Sequence, residues 1–172
     1  MDEAKKRQAQ LAKPPGSLGR LEELSIQLAG ITGHVHNKVE KKHLLVFAAD
    51  NGVVAEGVSS APQSVTLMQT INLTRAKTGA SVLTRHFGCG ITVCDVGVNA
   101  DIRDEKVLNR KIAYGTHSIT HGAAMSREDA EKAIQIGYEL AVSTDADVWG
   151  IGEMGIGNTT TSSAVLAVLL DA

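Results

Sequence analysis

Aromatic side chains are scarce, with one tryptophan, two tyrosines and two phenylalanines in 172 residues. With a formal net charge of −2, that argues against a nucleic-acid-binding surface, where a basic face is expected. The basic cluster Lys5-Lys6-Arg7 falls in a polar, helical stretch and reads as a solvated face. Cys89 and Cys94, both in apolar surroundings, are too few for a disulfide scaffold or a metal site. His34 and His36 stand two apart without further ligands nearby, so no metal or other cofactor is implied. The apolar run from Ala164 to Leu170 is far too short to span a bilayer. Charge from Asp2 onward leaves no visible secretory signal, and a reducing, cytoplasmic setting is expected. No segment repeats at a solenoid period.

What the chain does contain is apolar runs of strand length alternating with helical patterns. A hydrophobic content of 43% is enough for one core of ordinary size. Residues 3–12 read as a polar helix stopped by Pro14-Pro15. Ser17 is placed to cap a second helix, with Leu18, Leu21, Leu24, Ile26 and Leu28 on its apolar side and Gly30 at its end. A polar stretch over 32–42 follows. His43 to Ala49 is nearly continuous apolar sequence without alternation, as suits a parallel strand buried on both faces. Ser60 and Gln63 suggest a capping box opening a helix that runs to about Ala76, and Thr78 to Phe87 reads as another helix. Ile91 to Asp95 is a second buried strand, 102–124 reads as irregular, and Ser126 to Asp129 opens a helix that leads to a third strand at Val148. The expectation is a Rossmann-like parallel α/β sheet with flanking helices and right-handed crossovers. A small helical segment over 1–36 would precede it, the α/β domain occupying 37–172. The apolar C-terminal helix reads as one that docks under a sheet and leads to another strand, so the sheet is expected to be incomplete and the chain truncated.

Chemistry concentrates in three strand ends. Asp50-Asn51-Gly52 follows the first strand, and Asp95 ends the second with Gly97 two residues on. Ligands gather at the carboxyl ends of parallel strands, giving Asp50 and Asp95 a binding role; the alternative for Asp50 is simple turn chemistry. After the third strand comes Gly150-Ile-Gly-Glu153-Met-Gly155-Ile-Gly157-Asn158-Thr-Thr-Thr161. Glycine lets backbone N–H groups approach a ligand closely. A helix start leaves unpaired donors and a partial positive charge. Together they suit an anion such as phosphate, with Asn158, Thr159, Thr160 and Thr161 adding side-chain donors. The loop fits neither standard nucleotide fingerprint, and glycines serving packing alone are the alternative. Glu153 would repel phosphate, so it is assigned to a ribose hydroxyl, a ring nitrogen or support of positive charge.

Lys13-Pro-Pro-Gly-Ser-Leu-Gly-Arg-Leu-Glu22, Ala49-Asp-Asn-Gly-Val53, Glu56-Gly-Val-Ser59, Pro62 with Val65-Thr66, Thr74-Arg75, Asp95-Val-Gly-Val98, Ala124-Met-Ser126 and Gly152-Glu-Met-Gly-Ile-Gly-Asn-Thr-Thr160 occur in that order. They resemble the nicotinate-nucleotide:dimethylbenzimidazole phosphoribosyltransferase family over nearly the whole chain. The resemblance implies transfer of the 5-phosphoribosyl group of nicotinate mononucleotide to 5,6-dimethylbenzimidazole, giving α-ribazole 5′-phosphate and nicotinate in cobalamin assembly. It implies a homodimer without cofactor, a phosphate loop at Gly155, Ile156, Gly157, Asn158, Thr159 and Thr160, and a supporting Glu153. An acceptor pocket would involve Ala61, Pro62, Gln69 and Met154. The family's main general base and a phosphate-binding lysine are expected outside this chain, which would leave it inactive alone. Asn51 departs from the family's Asp-His-Gly, Ala76 stands where glycine is usual and Ala123 where proline is usual. A non-catalytic nucleotide-binding α/β module, or a related transferase with another aromatic acceptor, are the alternatives.

Overall fold

A computed structural model describes residues 1–171. The chain divides between Glu40 and Lys41, a little beyond the boundary at 36 read from sequence; Ala172, the expected end of the second domain, lies outside the described residues.

The N-terminal unit is a pair of helices, α1 (Asp2–Ala9) and α2 (Arg20–Thr32). Gln8 Nε2 donates to Ser25 Oγ at 2.6 Å across the pair, and Lys13 Nζ meets Glu22 Oε1 at 2.6 Å. Two expectations are corrected here. Ser17 does not cap α2: the cap position is Gly19, and the Glu22 carboxylate reaches back to the Leu18 N–H at 3.1 Å. Nor does Gly30 end the helix, which runs to a left-handed Gly33 with φ 75°. Gly30 is small for another reason: a Cβ there would lie 2.7 Å from the Met1 side chain.

From Lys41 onward the chain builds a four-stranded parallel sheet in the order β3-β2-β1-β4. Its strands are β1 (Lys42–Ala49), β2 (Gly90–Gly97), β3 (Val107–Asn109) and β4 (Val148–Met154). The side-chain period of two splits the core between the faces. Leu44, Val46, Ile91, Val93 and Val107 pack with Leu73 of α3 (Ser64–Thr74). Leu45, Phe47, Cys94 and Val96 pack with Ile136 and Leu140 of α5 (Arg127–Ser143) on the other face. Helix α4 (Gly79–His86) is held by a reciprocal cap between Thr78 and Ser81, and Ser126 Oγ accepts the Asp129 N–H at 3.0 Å to open α5. The capping box expected at Ser60 is absent; Ser59 Oγ takes the Ala61 N–H, and α3 starts at Ser64. β3 and the 3-10 turn Ile119–His121 fall in the stretch expected to be irregular.

Beyond β4 runs α6 (Asn158–Leu170), none of whose residues is buried. Ile151 on β4 is 71% exposed, and Val168 and Leu169 on α6 are 81% and 75% exposed. No helix of the described residues is long and apolar enough to cross a membrane.

Candidate active site at the β1 and β4 strand ends

Strand order decides which strand ends can meet. β2 lies on one side of β1 and β4 on the other, so the winding reverses between β1 and β4. In open α/β sheets ligands bind in the crevice at such a reversal. The end of β1 faces the end of β4 there, whereas the end of β2 lies one strand away.

Asp95 is therefore removed from the expected rim. Its Oδ1 accepts the Gly97 and Val98 N–H groups at 3.0 and 2.8 Å, and its Oδ2 pairs with Lys111 Nζ at 2.9 Å. Lys111 also donates to the carbonyls of Val98 and Ala100, and its ammonium stands 4.7 Å above the Tyr114 ring. Asp95 is a buried anchor for the loop after β2, at 1% exposure, with its acceptors engaged by the chain itself. Asp50 is almost as deep, at 2%. Its Oδ2 accepts the Asn99 N–H at 2.8 Å, while Oδ1 has no partner among the described residues.

Asn51 joins the two strand ends. Its Nδ2 donates to Ile156 O at 3.0 Å and to Asn158 Oδ1 at 2.7 Å, and its Oδ1 accepts from the Thr161 hydroxyl at 3.3 Å. Asn158 Nδ2 in turn donates to Glu153 Oε2. Glu153 is the penultimate residue of β4, not a loop residue.

The glycines are explained by close approach to the β1 end. A Cβ on Gly155 would collide with the Ala49 carbonyl and lie 2.7 Å from Asn158 Oδ1. Gly157 has φ 90°, and a Cβ on it would lie 3.0 Å from Val54. The expected cradle of amides is only partly available. Ile156 N–H donates to Thr66 Oγ1 at 3.0 Å. Asn158 N–H goes to Gly155 O at 3.1 Å, and Thr160 N–H to Gly157 O at 3.0 Å. The amides of Gly157 and Thr159 have no acceptor among the described residues, so the donors toward an anion sit at the first turn of α6.

Thr66, fully buried, ties α3 to this loop. Gln69, three residues on and half-buried, lies one turn further along α3. Ala61 is half-buried and Pro62 exposed, both ahead of α3. Met154 packs onto the cluster of Val46, Leu73, Val93 and Val107. By strand alternation Glu153 takes the opposite face, so these two do not form one wall. Sequence reasoning named Thr66 within the resemblance but gave it no role, and marked Asn51 only as a strand-end residue that departs from the family's Asp-His-Gly; the signal for Thr66 was a pair of threonines four apart, Thr66 and Thr70, within an apolar helix.

Two concavities flank the site. A cavity of about 290 Å³ lies at the β1 and β2 ends, bounded by Ala49, Gly97, His117 and the α5 residues Asp129 and Ala133. A groove of about 900 Å³ runs beside α6, between Val165, Leu169 and the loop residues Ile119 and Met125, with Asn51 and Thr161 at its inner end. The loop after β1 is held from outside by Glu56, whose Oε1 accepts from Ser118 Oγ at 2.9 Å and Thr120 Oγ1 at 3.0 Å, beside His121 Nε2 at 3.3 Å. The two hydroxyls, with the neighbouring imidazole, hold its carboxyl below the usual range.

A family model described as phosphoribosyltransferase (DBI_PRT) matches residues 1–172. The nicotinate-nucleotide--dimethylbenzimidazole phosphoribosyltransferase of Ruminiclostridium cellulolyticum is 51% identical, over 99% of this chain and 49% of that protein. The protein of the same name from Clostridium perfringens is 49% identical, over 97% of this chain and 47% of its own length. The crystal structure of CobT from Thermus thermophilus superposes with a TM-score of 0.94 at 40% identity, covering 99% of this chain and 52% of that one. The chain spans about half the length of the curated relatives it matches.

Proposed function

Since the chain belongs to this phosphoribosyltransferase family, we propose that it supplies the donor-binding part of an enzyme of cobalamin lower-ligand assembly. The reaction moves the 5-phosphoribosyl group of nicotinate mononucleotide to a ring nitrogen of 5,6-dimethylbenzimidazole, releasing nicotinate and forming α-ribazole 5′-phosphate. Such a transfer needs an anchored phosphate, support for positive charge at the anomeric carbon, and removal of the acceptor's ring proton. The amides of Gly157 and Thr159 at the start of α6, with the Thr159 and Thr160 hydroxyls, take the phosphate. Glu153, one oxygen held by Asn158, turns the other toward the ribosyl group. Gln69 contacts the acceptor, with Ala61 and Pro62 ahead of α3 and Met154 at the apolar side. Asp50 contributes through its unpartnered oxygen. Two copies pair through the uncovered apolar surface of β4 and α6, and the free thiols of Cys89 and Cys94 suit a reducing cytoplasm.

The observation that carries the reading is the meeting of Glu153, Asn158 and the start of α6 at the β1/β4 reversal, within a chain matched to the family from end to end. The amides of Ile156, Asn158 and Thr160 being engaged internally favours one second reading, in which the glycine loop is a packing turn alone. Calorimetric titration separates the two. Nicotinate mononucleotide should bind saturably and nicotinate riboside, which lacks the phosphate, at least tenfold more weakly. Equal affinities would remove the phosphate from the loop, and no binding of either at millimolar concentration would end the proposal.

A further inference from the structure

The orientations of the two carboxamides at the β1/β4 junction are fixed from outside the pair. Ile156 O can only accept, so the Asn51 atom 3.0 Å from it must be the nitrogen. The Thr161 hydroxyl lies 3.3 Å from the oxygen at the other end of the same amide, its one proton shared with the Asn158 carbonyl at 3.1 Å. That nitrogen is also 2.7 Å from the Asn158 side chain, so the Asn158 atom facing it must be the oxygen. The Asn158 nitrogen is thereby turned away from Asn51 and onto Glu153 Oε2. Asn51 is 7% exposed, so water competes little for its own bonds; Asn158 is half-buried and Glu153 exposed.

We propose that Asn51 is a positioning residue: it sets which end of the Asn158 amide faces Glu153, and through that amide fixes the Glu153 carboxylate beside the donor site. The consequence for catalysis rests on the reading of Glu153 given above, but the relay itself does not. Asparagine suits position 51 because it offers two N–H donors on one side and an acceptor on the other. Aspartate has the same shape and offers acceptors only. In Asn51→Asp the Asn158 amide must turn over to donate toward residue 51, which brings its oxygen against Glu153. Two acceptors then face one another and the Asn158–Glu153 bond is lost.

The test uses the side-chain amide resonances of Asn158 in ¹H–¹⁵N spectra of the 172-residue chain, assigned by their disappearance in Asn158→Asp. Glu153→Ala defines their position when the carboxylate is absent. In Asn51→Asp the turned-over amide donates to the new carboxylate at position 51 instead, so adding Glu153→Ala to that variant should no longer move them, while the backbone signals of β2, β3 and α5 stay in place. Asn158 resonances in Asn51→Asp that still move when Glu153→Ala is added, as they do in the wild-type background, would overturn the relay. Should Asn51→Asp not fold, Asn51→His is measured instead. One imidazole N–H toward Asn158 suffices to hold its amide, so adding Glu153→Ala should still move the resonances, and resonances that no longer respond to it would overturn the proposal equally. Nicotinate mononucleotide titrations give the functional arm: Asn51→Asp and Glu153→Gln should each weaken binding about tenfold, and the double variant no further. Additive losses would show that Asn51 does not act through Glu153. Absence of any donor binding would sink the functional reading and leave the spectroscopic arm to decide the relay.

Discussion

The Asp95–Lys111 pair shows how a strand-end carboxylate can serve structure. Removing one member of a buried ion pair leaves an uncompensated charge, which costs about 3–5 kcal/mol. Lys111→Met, which keeps the stem and deletes the ammonium, should lower unfolding free energy by that amount in urea titrations. Any donor affinity should be little changed where the protein remains folded, because Asp95 faces its own loop. Ala76 gives the opposite sign. It is a non-glycine residue at φ 51°, a conformation that costs L-residues roughly 1–2 kcal/mol. Ala76→Gly relieves that strain and adds about 0.4–1 kcal/mol of unfolded-state entropy, so the urea midpoint should rise slightly. Cys94, buried at 1% exposure, has its thiol pushed up to about 11 by burial, with the Asp95 charge adding to the effect. The unfolded thiol ionises near 9, and the folded one only above that. Stability from this group is therefore intact below pH 9 and is lost as pH rises toward 11. At pH 8 a thiol alkylating reagent should label Cys89 in the native protein and Cys94 only after denaturation. Sequence alone could mark Asp50, Asn51 and Asp95 as strand-end residues. It could not assign their work, because that depends on strand order, and strand order is a non-local property.

The binding loop is held by an element that the sequence places far away. Thr66 on α3 accepts the Ile156 N–H, a contact across 90 positions. Thr66→Val keeps the volume and removes the acceptor, leaving the part-buried Ile156 amide without its partner, at a cost toward the low end of about 1–3 kcal/mol. Hydrogen exchange at the Ile156 amide should accelerate markedly in that variant, while exchange in the centre of β2 should change far less. Equal acceleration in both would mean global destabilisation and no specific pinning. The same distinction between local and non-local signals explains which elements were legible. β1 and β2 are continuous apolar runs buried on both faces, and α5 begins with a serine cap whose bond is in place. These features are written within a few neighbouring residues. β3 is three residues long, with only Val107 buried, and exists because β2 offers it a free edge. No local pattern announces such a strand. The false capping box at Ser60 fails for the converse reason. The spacing to Gln63 is right, but the chain there is in a loop and Ser59 bonds to Ala61 instead.

At the scale of the whole molecule, the sheet ends on one side with an uncovered strand. β4 has one neighbour, β1, and carries Val148, Trp149 and Ile151 at 43%, 41% and 71% exposure. Helix α6 adds Val165, Leu166, Val168 and Leu169, all more than half exposed. An exposed apolar strand edge invites pairing with another chain, and contiguous apolar surface of this kind marks an interaction face. The α1–α2 unit, by contrast, has its own hydrogen bond and ion pair. Self-association through β4 and α6 is the expected outcome for this chain in solution. Sedimentation velocity at 5–100 μM (roughly the range where transient exposed surfaces associate) should show mass rising with concentration. Ile151→Lys puts a charge on the exposed side of the edge strand and Val168→Glu one on α6. Because both side chains are largely in solvent, stability should shift by less than about 0.5 kcal/mol. The double variant should therefore sediment closer to a monomer at every concentration while unfolding at the same urea midpoint. A mass distribution unchanged by these two charges would place the association elsewhere on the molecule, and a strictly monomeric wild type would show that the apolar edge is not adhesive by itself.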